Sequence, residues 1–390
     1  MSKPKTLGDV LLGIEAGKSF QTTDLPAKAD ELGVLKVSAV TWAAFRPDEA
    51  KAVTDYSPEP YHRVRSDDLL ISRANTRELV GAVVLVERDF PNRLLSDKTL
   101  RLIVDTEKAD KAYLLYALRS AGARAHIEHF ATGTSDSMRN IAQGVISSVP
   151  ISLPDIGTQR DIALRLKAQL AAVEDASQAA TAQLRELPQL ANAIIRETLT
   201  QPETATHSLG DVLDEVKQGI GARWADFPVL GATRDGLAPA REPVGKNPER
   251  YKPVQVGTVF YNPMRILIGS IAMVDEDDAP GITSPDYVAL RGREGVVDSR
   301  WFYYWLRSPE GERCISSLAR GAVRERMLFN RLAEGEISLP PYPVQQAASR
   351  ALAELRPMKR SIEARLLEIE ALPQRLLAEV FDFEEDVRDA

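Results

Sequence analysis

Residues 151–199 read ISLPDIGTQRDIALRLKAQLAAVEDASQAATAQLRELPQLANAIIRETL, and this stretch decides the architecture. It opens as a short apolar strand closed by Pro154, then runs about 40 residues from Gln159 without a glycine. Leu166, Val173, Ala180, Leu187 and Ile194 recur every seven residues, with Leu170, Ser177, Leu184 and Ala191 as a companion row. Two rows at that spacing form a seam along one helix face, the pattern of a coiled coil. Pro188 lies inside it and is expected to kink the helix or break it locally. The design returns after ISLPPYPVQQ at 337–346: Leu355, Ile362, Ile369 and Leu376 step by seven, and Leu366 and Val380 fill the other row. Leu372-Pro373-Gln374 echoes Leu187-Pro188-Gln189. Helices over 159–199 and 345–381 are expected to pack antiparallel through Leu166, Val173, Leu184, Leu187, Leu355, Ile362, Leu366 and Ile369. The chain leaves the first helix at its far end and must return to the second through a whole domain.

Outward from these helices the sequence reads as a duplication. Leu7-Gly8-Asp9-Val10-Leu11 matches Leu209-Gly210-Asp211-Val212-Leu213, an offset of 202. Leu79-Val80-Gly81-Ala82-Val83 aligns with Leu267-Ile268-Gly269-Ser270-Ile271 at 188, as do Ser96 with Ser284, residues 116–120 with 304–308, and Gly133 with Gly321. The offset is 186 at the two ISLP strands and 185 at the two LPQ sites. The larger offset at the start gives the first unit about 14 extra residues early in its course. Each unit alternates short β-rich runs with one helix, over 108–129 and 299–319, separated by Pro, Asp and Asn turn signals. The expected fold is α+β: two similar globular domains, 1–157 and 202–341, separated by a long antiparallel two-helix coiled coil with pseudo-twofold symmetry. The helices occupy 158–201 and 342–382, and an acidic tail covers 383–390.

Composition narrows the function. The chain has 390 residues, 44% hydrophobic and 27% charged, which reads as globular with room for two or more domains. Cys314 is its single cysteine, so no intramolecular disulfide framework or multi-cysteine zinc site forms, and a reducing cytoplasm is expected. No apolar run approaches the ~18 residues of a membrane span, and the first residues, MSKPKTLGDVLLG, lack a signal-peptide core. The net charge of −7 announces no nucleic-acid partner globally, although charge averaged over a chain says little about one face.

Catalytic motifs are incomplete. GIEAGKS at 13–19 has three residues, not four, between its first glycine and Gly-Lys, which argues against a phosphate loop. Asn262-Pro263-Met264-Arg265 departs from the amino-methyltransferase motif at its last two positions, and no G-x-G-x-x-G loop accompanies it. His126 and His129 lie three apart on a helix without a third ligand, so a solvated face is the expected reading. Asp67 and Asp68 could suggest a nuclease, but adjacent carboxylates on a strand face opposite sides. No cofactor, metal or catalytic group is expected.

Recognition chemistry remains. Arg73, Asn75, Thr76 and Arg77 follow a strand, and Asn262 and Arg265 stand at the equivalent place in the second unit. A polar loop follows each globular helix, carrying Thr134, Ser135 and Arg139 in the first unit and Arg320, Arg324 and Arg326 in the second. Guanidiniums, amides and hydroxyls suit phosphate oxygens and base edges. Solvated surface is the plainer reading for any single one of them. Trp42, Trp224, Trp301 and Trp305 read as packing residues.

These features together resemble the specificity (S) subunit of Type I restriction-modification systems over nearly the whole length. The resemblance is carried by LLISRANTRELVGAVVLVE, LSDKTLRLIV, the ATGTSDSMRNI stretch leading into VPISLPDIGTQRDI, and the twofold repeat with two long helices. It implies a non-catalytic subunit with two target recognition domains, each reading half of a split site in double-stranded DNA. It also implies that the coiled coil spaces the domains and docks two methyltransferase subunits, with restriction/translocase subunits completing the complex. The second half departs where Asn262-Pro263-Met264-Arg265 replaces the SRAN-like run and Arg324-Glu325-Arg326 replaces Ser-Asp-Ser, which reads as a different half-site preference or a lost DNA contact. A protein-interaction scaffold built on the coiled coil is the alternative.

Overall fold

The computed structural model describes residues 5–54, 59–319 and 326–382; the expected acidic tail lies outside them. The chain forms two compact units, one of residues 1–178 and 367–390, the other of 179–366.

In the first unit a four-stranded antiparallel sheet runs in the order Leu11–Ala16, Thr99–Val104, Leu69–Ser72, Val83–Leu85. In the second unit Leu213–Glu215, Val288–Gly292, Val259–Tyr261 and Ile271–Met273 take the same order. The first of each set in sequence pairs with the fourth, which pairs with the second. The first strands, from Leu11 and Leu213, stand at the 202 offset, and those from Val83 and Ile271 at the 188 offset. Gly81 and Gly269 turn with φ of 80° and 82°, the left-handed region that glycine favours, between the second and third strands. The units differ in their second sheets. Five strands (Thr22–Pro26, Ala50–Val53, Gly33–Leu35, Phe90–Leu94, Arg63–Val64) stand in the first; in the second, the corresponding region holds the pairs Leu230–Thr233 with Gly236–Pro239 and Lys252–Val254 with Gly281–Thr283. The extra residues of the first unit fall in this region.

The single helix expected in each unit is two helices, Lys111–Ala117 with Ala121–Phe130, and Ser299–Arg307 with Pro309–Leu318. A buried serine makes each break. Ser120 donates to the carbonyl of Ala117 (2.8 Å) and caps the Ala123 amide; Ser308 donates to Trp305 (2.8 Å) and caps Gly311.

The first long helix, Ile156–Leu199, runs through Pro188 without a break. Proline removes one intrahelical bond, and packing on both sides of it holds the helix. The second is interrupted, as Tyr342–Ala353 and Leu355–Phe381. Pro357 cannot donate to the carbonyl of Ala353 and its ring crowds that group, which ends the first segment.

In the second unit the helices run antiparallel. Arg365 donates to Gln183 (2.5 Å), while Ala191 and Ile195 share a core with Leu352 and Leu355. In the first unit Ala163 and Leu166 pack with Leu377, and Leu170 with Leu376 and Val380 borders the same core. Of the seam residues, Leu166, Leu355, Ile362 and Ile369 are buried; Val173, Leu184, Leu187 and Leu366 are half-buried. Beyond each internal proline the buried row moves on by one, to Ile195 rather than Ile194 and to Leu377 rather than Leu376. A 3.6-residue helix drifts from a seven-residue repeat, and these ends pack on a globular core instead of along a seam.

Two buried glutamines fasten the helices to their units. Gln159 accepts from the amide of Asp110 (2.9 Å) and donates to the carbonyls of Lys108 (3.1 Å) and Pro154 (2.8 Å). Gln345 accepts from Asp298 (2.9 Å) and donates to Val296 (3.0 Å) and Pro340 (2.9 Å). Each side chain, itself buried, thus has its oxygen and both amide hydrogens engaged by three backbone groups.

The second unit adds an ion-pair network. Arg356 binds both oxygens of Asp278 (2.7 and 2.9 Å), and Arg300 grips Asp275. Burial, the largest single influence, pushes the Asp278 carboxyl up, but the hydrogen bonds and charge of Arg356, with the Asp275 backbone and the charge of Arg360, together hold the group below its ordinary value. The folded pKa lies below the unfolded one. The contribution is therefore complete above the ordinary aspartate range, ~pH 4, and is lost as pH falls through the folded value. Asp278→Asn should lower the melting temperature of the second unit at pH 7 and flatten its loss below ~pH 4. Parallel acid limbs for variant and parent would contradict this.

Candidate nucleic-acid interface

In the first unit the run after the second strand and the polar loop, about 60 residues apart in sequence, meet in one small sheet. Its order is Thr132–Ser135, Met138–Asn140, Ala74–Asn75, with Arg139 opposite Asn75 and Asn140 opposite Ala74. The amide of Arg77 also donates to Asp136 (2.9 Å). Arg73, Arg77 and Ser135 are exposed on this structure, and Ser135 shares a hydrogen bond with Ser137 (2.9 Å). Thr134 is described only as part of its strand.

Three of the expected contacts are otherwise engaged. Asn75 is 3% exposed; its amide donates to Val37 (2.9 Å) and Ser72 (3.2 Å) and accepts from the Thr76 amide (2.9 Å). Turned inward, it acts as the peg that fixes the 73–77 run on the neighbouring segment. The Arg139 guanidinium donates to Gly133 (3.1 Å) and Ala131 (2.7 Å), stapling the hairpin. Thr76 is half-buried and hydrogen-bonded to Glu78; that carboxyl is held below its ordinary value by its own backbone amide first and Thr76 second.

In the second unit the same juxtaposition recurs: the amide of Met327 donates to Pro263 (3.1 Å), 188 residues beyond Arg139 and Asn75. Asn262 is half-buried and closes a turn by accepting from Met264 (2.9 Å). Arg265 is exposed. Arg326 is exposed and paired with Asp286 (3.1 Å), an ion pair open to solvent and therefore weak. Arg320 and Arg324 lie outside the described residues. Tyr261 belongs to the core; burial pushes its phenol up, and its hydroxyl has no partner among the described residues.

Other leads resolve as structure. Asp67 pairs with Lys111 (2.6 Å), and Asp68 with Arg101 (2.8 Å). His126 bonds Ser148 (3.0 Å), and among the described residues no three His, Cys, Asp or Glu side chains are placed to hold a metal. Among the same residues no helix is long and apolar enough to cross a membrane.

The glutamine clasps went unread in the sequence. Their signal is positional: each stands five residues after the proline of an ISLP run, of which only the second is a strand, Glu336–Leu339.

The fold and these surfaces define a class, an α+β chain of two modules with matching strand order, built on two long helices. No family model matches the chain. In sequence it is similar to the Type I restriction enzyme EcoEI specificity subunit of Escherichia coli, with 28% identity over 155 residues. That match takes in 39% of this chain and 26% of that subunit, about a quarter of the relative's length. In fold it is similar to a chain of a type I R-M system solved for its complex assembly and conformational transition (TM-score 0.66, 17% identity, 97% of this chain and 96% of that one). It is also similar to the HsdS subunit from Thermoanaerobacter tengcongensis (TM-score 0.59, 18% identity, 97% and 95%). The resemblance to Type I specificity subunits carried by the sequence motifs is therefore found in a curated relative and in the fold of the whole chain.

Proposed function

We propose that this chain is the DNA-reading specificity subunit of a Type I restriction-modification complex and itself carries out no catalytic step. In this reading each unit recognises one half of a split site in double-stranded DNA, and the long helices dock two methyltransferase subunits, with restriction subunits joining the assembly. The observation that carries it is the small sheet joining 74–75 to 132–140, which presents Arg73, Arg77 and Ser135 together, with an equivalent junction in the second unit. Guanidinium and hydroxyl groups held on a short, paired scaffold are suited to base edges and phosphates. The matching strand order supports a duplicated reader, and the differing second sheets support unequal half-sites.

The test is co-expression of the full chain with methyltransferase subunits of such a system, followed by co-purification and DNA-binding measurement. A stable complex that prefers particular duplexes over random sequence is expected. A complex that forms but binds all duplexes alike would leave only the scaffold role.

A further inference from the structure

The two units present different chemistry at the same turn. Gly81 and Gly269 share a left-handed φ, and the side chains before them differ in exposure. In the first unit Val80 is buried, Leu79 is half-buried, and Trp42 covers the turn, its indole N–H donating to Glu78 (2.7 Å) and its face lying under Arg124. In the second unit the turn is open: Met264 is 52% exposed, Leu267 51% and Ile268 66%, with Leu328 at 45% on the neighbouring segment. Single exposed apolar side chains are ordinary, but a cluster of four on one tip marks a surface that something covers.

The surroundings indicate what covers it. Arg265 lies within the tip, and Arg326 is two residues from Leu328. Arg307 donates to Gly269 (3.3 Å) and Ile271 (2.9 Å) and also to the carbonyl of Arg234 (2.6 Å), which ties exposed Arg234 beside the turn. An apolar patch among guanidiniums complements a polyanion that carries apolar groups. On the major-groove edge of DNA the apolar group is the C5-methyl of thymine.

We propose that Met264, Leu267 and Ile268 read thymine methyl groups in the half-site of the second unit, with Arg234, Arg265 and Arg326 on the flanking phosphates. This rests on the DNA-reading function proposed above. It assigns an A·T-containing half-site to this unit.

Deoxyuridine tests the idea directly, because it removes the methyl and keeps every hydrogen-bonding group of thymine. Binding of the full chain with its methyltransferase subunits is measured on duplexes carrying the mapped target, with thymine replaced by deoxyuridine in each half-site separately. In one half-site, affinity should fall about fourfold for each methyl contact removed. That sensitivity should fall in the Met264→Ala/Ile268→Ala double variant, which keeps only Leu267 of the three; the replaced side chains are exposed, and folding is checked by the melting temperature. Sequence-selective binding indifferent to deoxyuridine in both half-sites would overturn this inference while leaving the proposed function standing. So would a double variant that loses its methyltransferase subunits but reads DNA unchanged, since the patch would then be a protein contact. Binding without any sequence preference would overturn both.

Discussion

Gln345→Leu should destabilise the second unit by roughly 2–4 kcal/mol. Leucine fills the space but leaves the Pro340 carbonyl buried, and the Asp298 amide and Val296 carbonyl part-buried, without their partner. An unsatisfied buried group costs about 1–3 kcal/mol, which the Pro340 carbonyl meets in full and the two part-buried groups in part. Gln346→Leu is the internal control: Gln346 is exposed on the same helix, and its replacement should change stability by less than about 0.5 kcal/mol. Urea unfolding followed by tryptophan fluorescence isolates the effect, because Trp224, Trp301 and Trp305 lie in the second unit and only Trp42 in the first. Gln159→Leu should have a comparable effect on the first unit, followed through Trp42. A loss below about 1 kcal/mol at Gln345 would mean that solvent replaces the clasp.

Arg73→Ala and Arg326→Ala should weaken DNA binding in distinguishable ways. A bidentate base contact by Arg73 would make its loss worth ~1–3 kcal/mol and relax preference at one base pair of one half-site. Arg326, shared with Asp286 at an open edge, suits a phosphate. Its removal should weaken binding to all sequences alike and reduce the salt slope by about one. Asn75→Ala belongs to neither pattern: it frees Val37 and Ser72 from their amide and should lower the stability of the first unit. Binding on a library of split sites at two salt concentrations, read with melting temperatures, separates the three. Identical profiles for Arg73→Ala and Arg326→Ala would show that the reading face has been misplaced.

The seam was legible because it rests on apolar periodicity, and the pairing of the long helices was expected from the path of the chain. The inner strands of the two four-stranded sheets fall in apolar runs, whereas Leu11–Ala16 and Leu213–Glu215 went unread. What else escaped was decided by single polar or cyclic residues. Ser120 and Ser308 look like ordinary helix residues until their hydroxyls turn back to carbonyls and start new helices. Pro357 was hidden among good helix formers. Asn75 has the donor chemistry of a base reader, and only the tertiary pairing of its strand shows that the amide is turned inward. Arg139 is engaged in the same way by its own hairpin. The exposed tip at 264–268 was equally hidden, since apolar residues beside a glycine turn read as core, as Val80 is in the first unit.

The central claim is that two unequal readers on one chain specify a split DNA site, and mapping DNA methylation genome-wide in cells carrying this chain with its methyltransferase subunits tests it most directly. The account predicts one methylated motif made of two different short sequences separated by a fixed unspecified spacer. Exchanging residues 202–341 for those of another such subunit should change one half of the motif and leave the other intact. A continuous or palindromic motif, or both halves changing together, would contradict it.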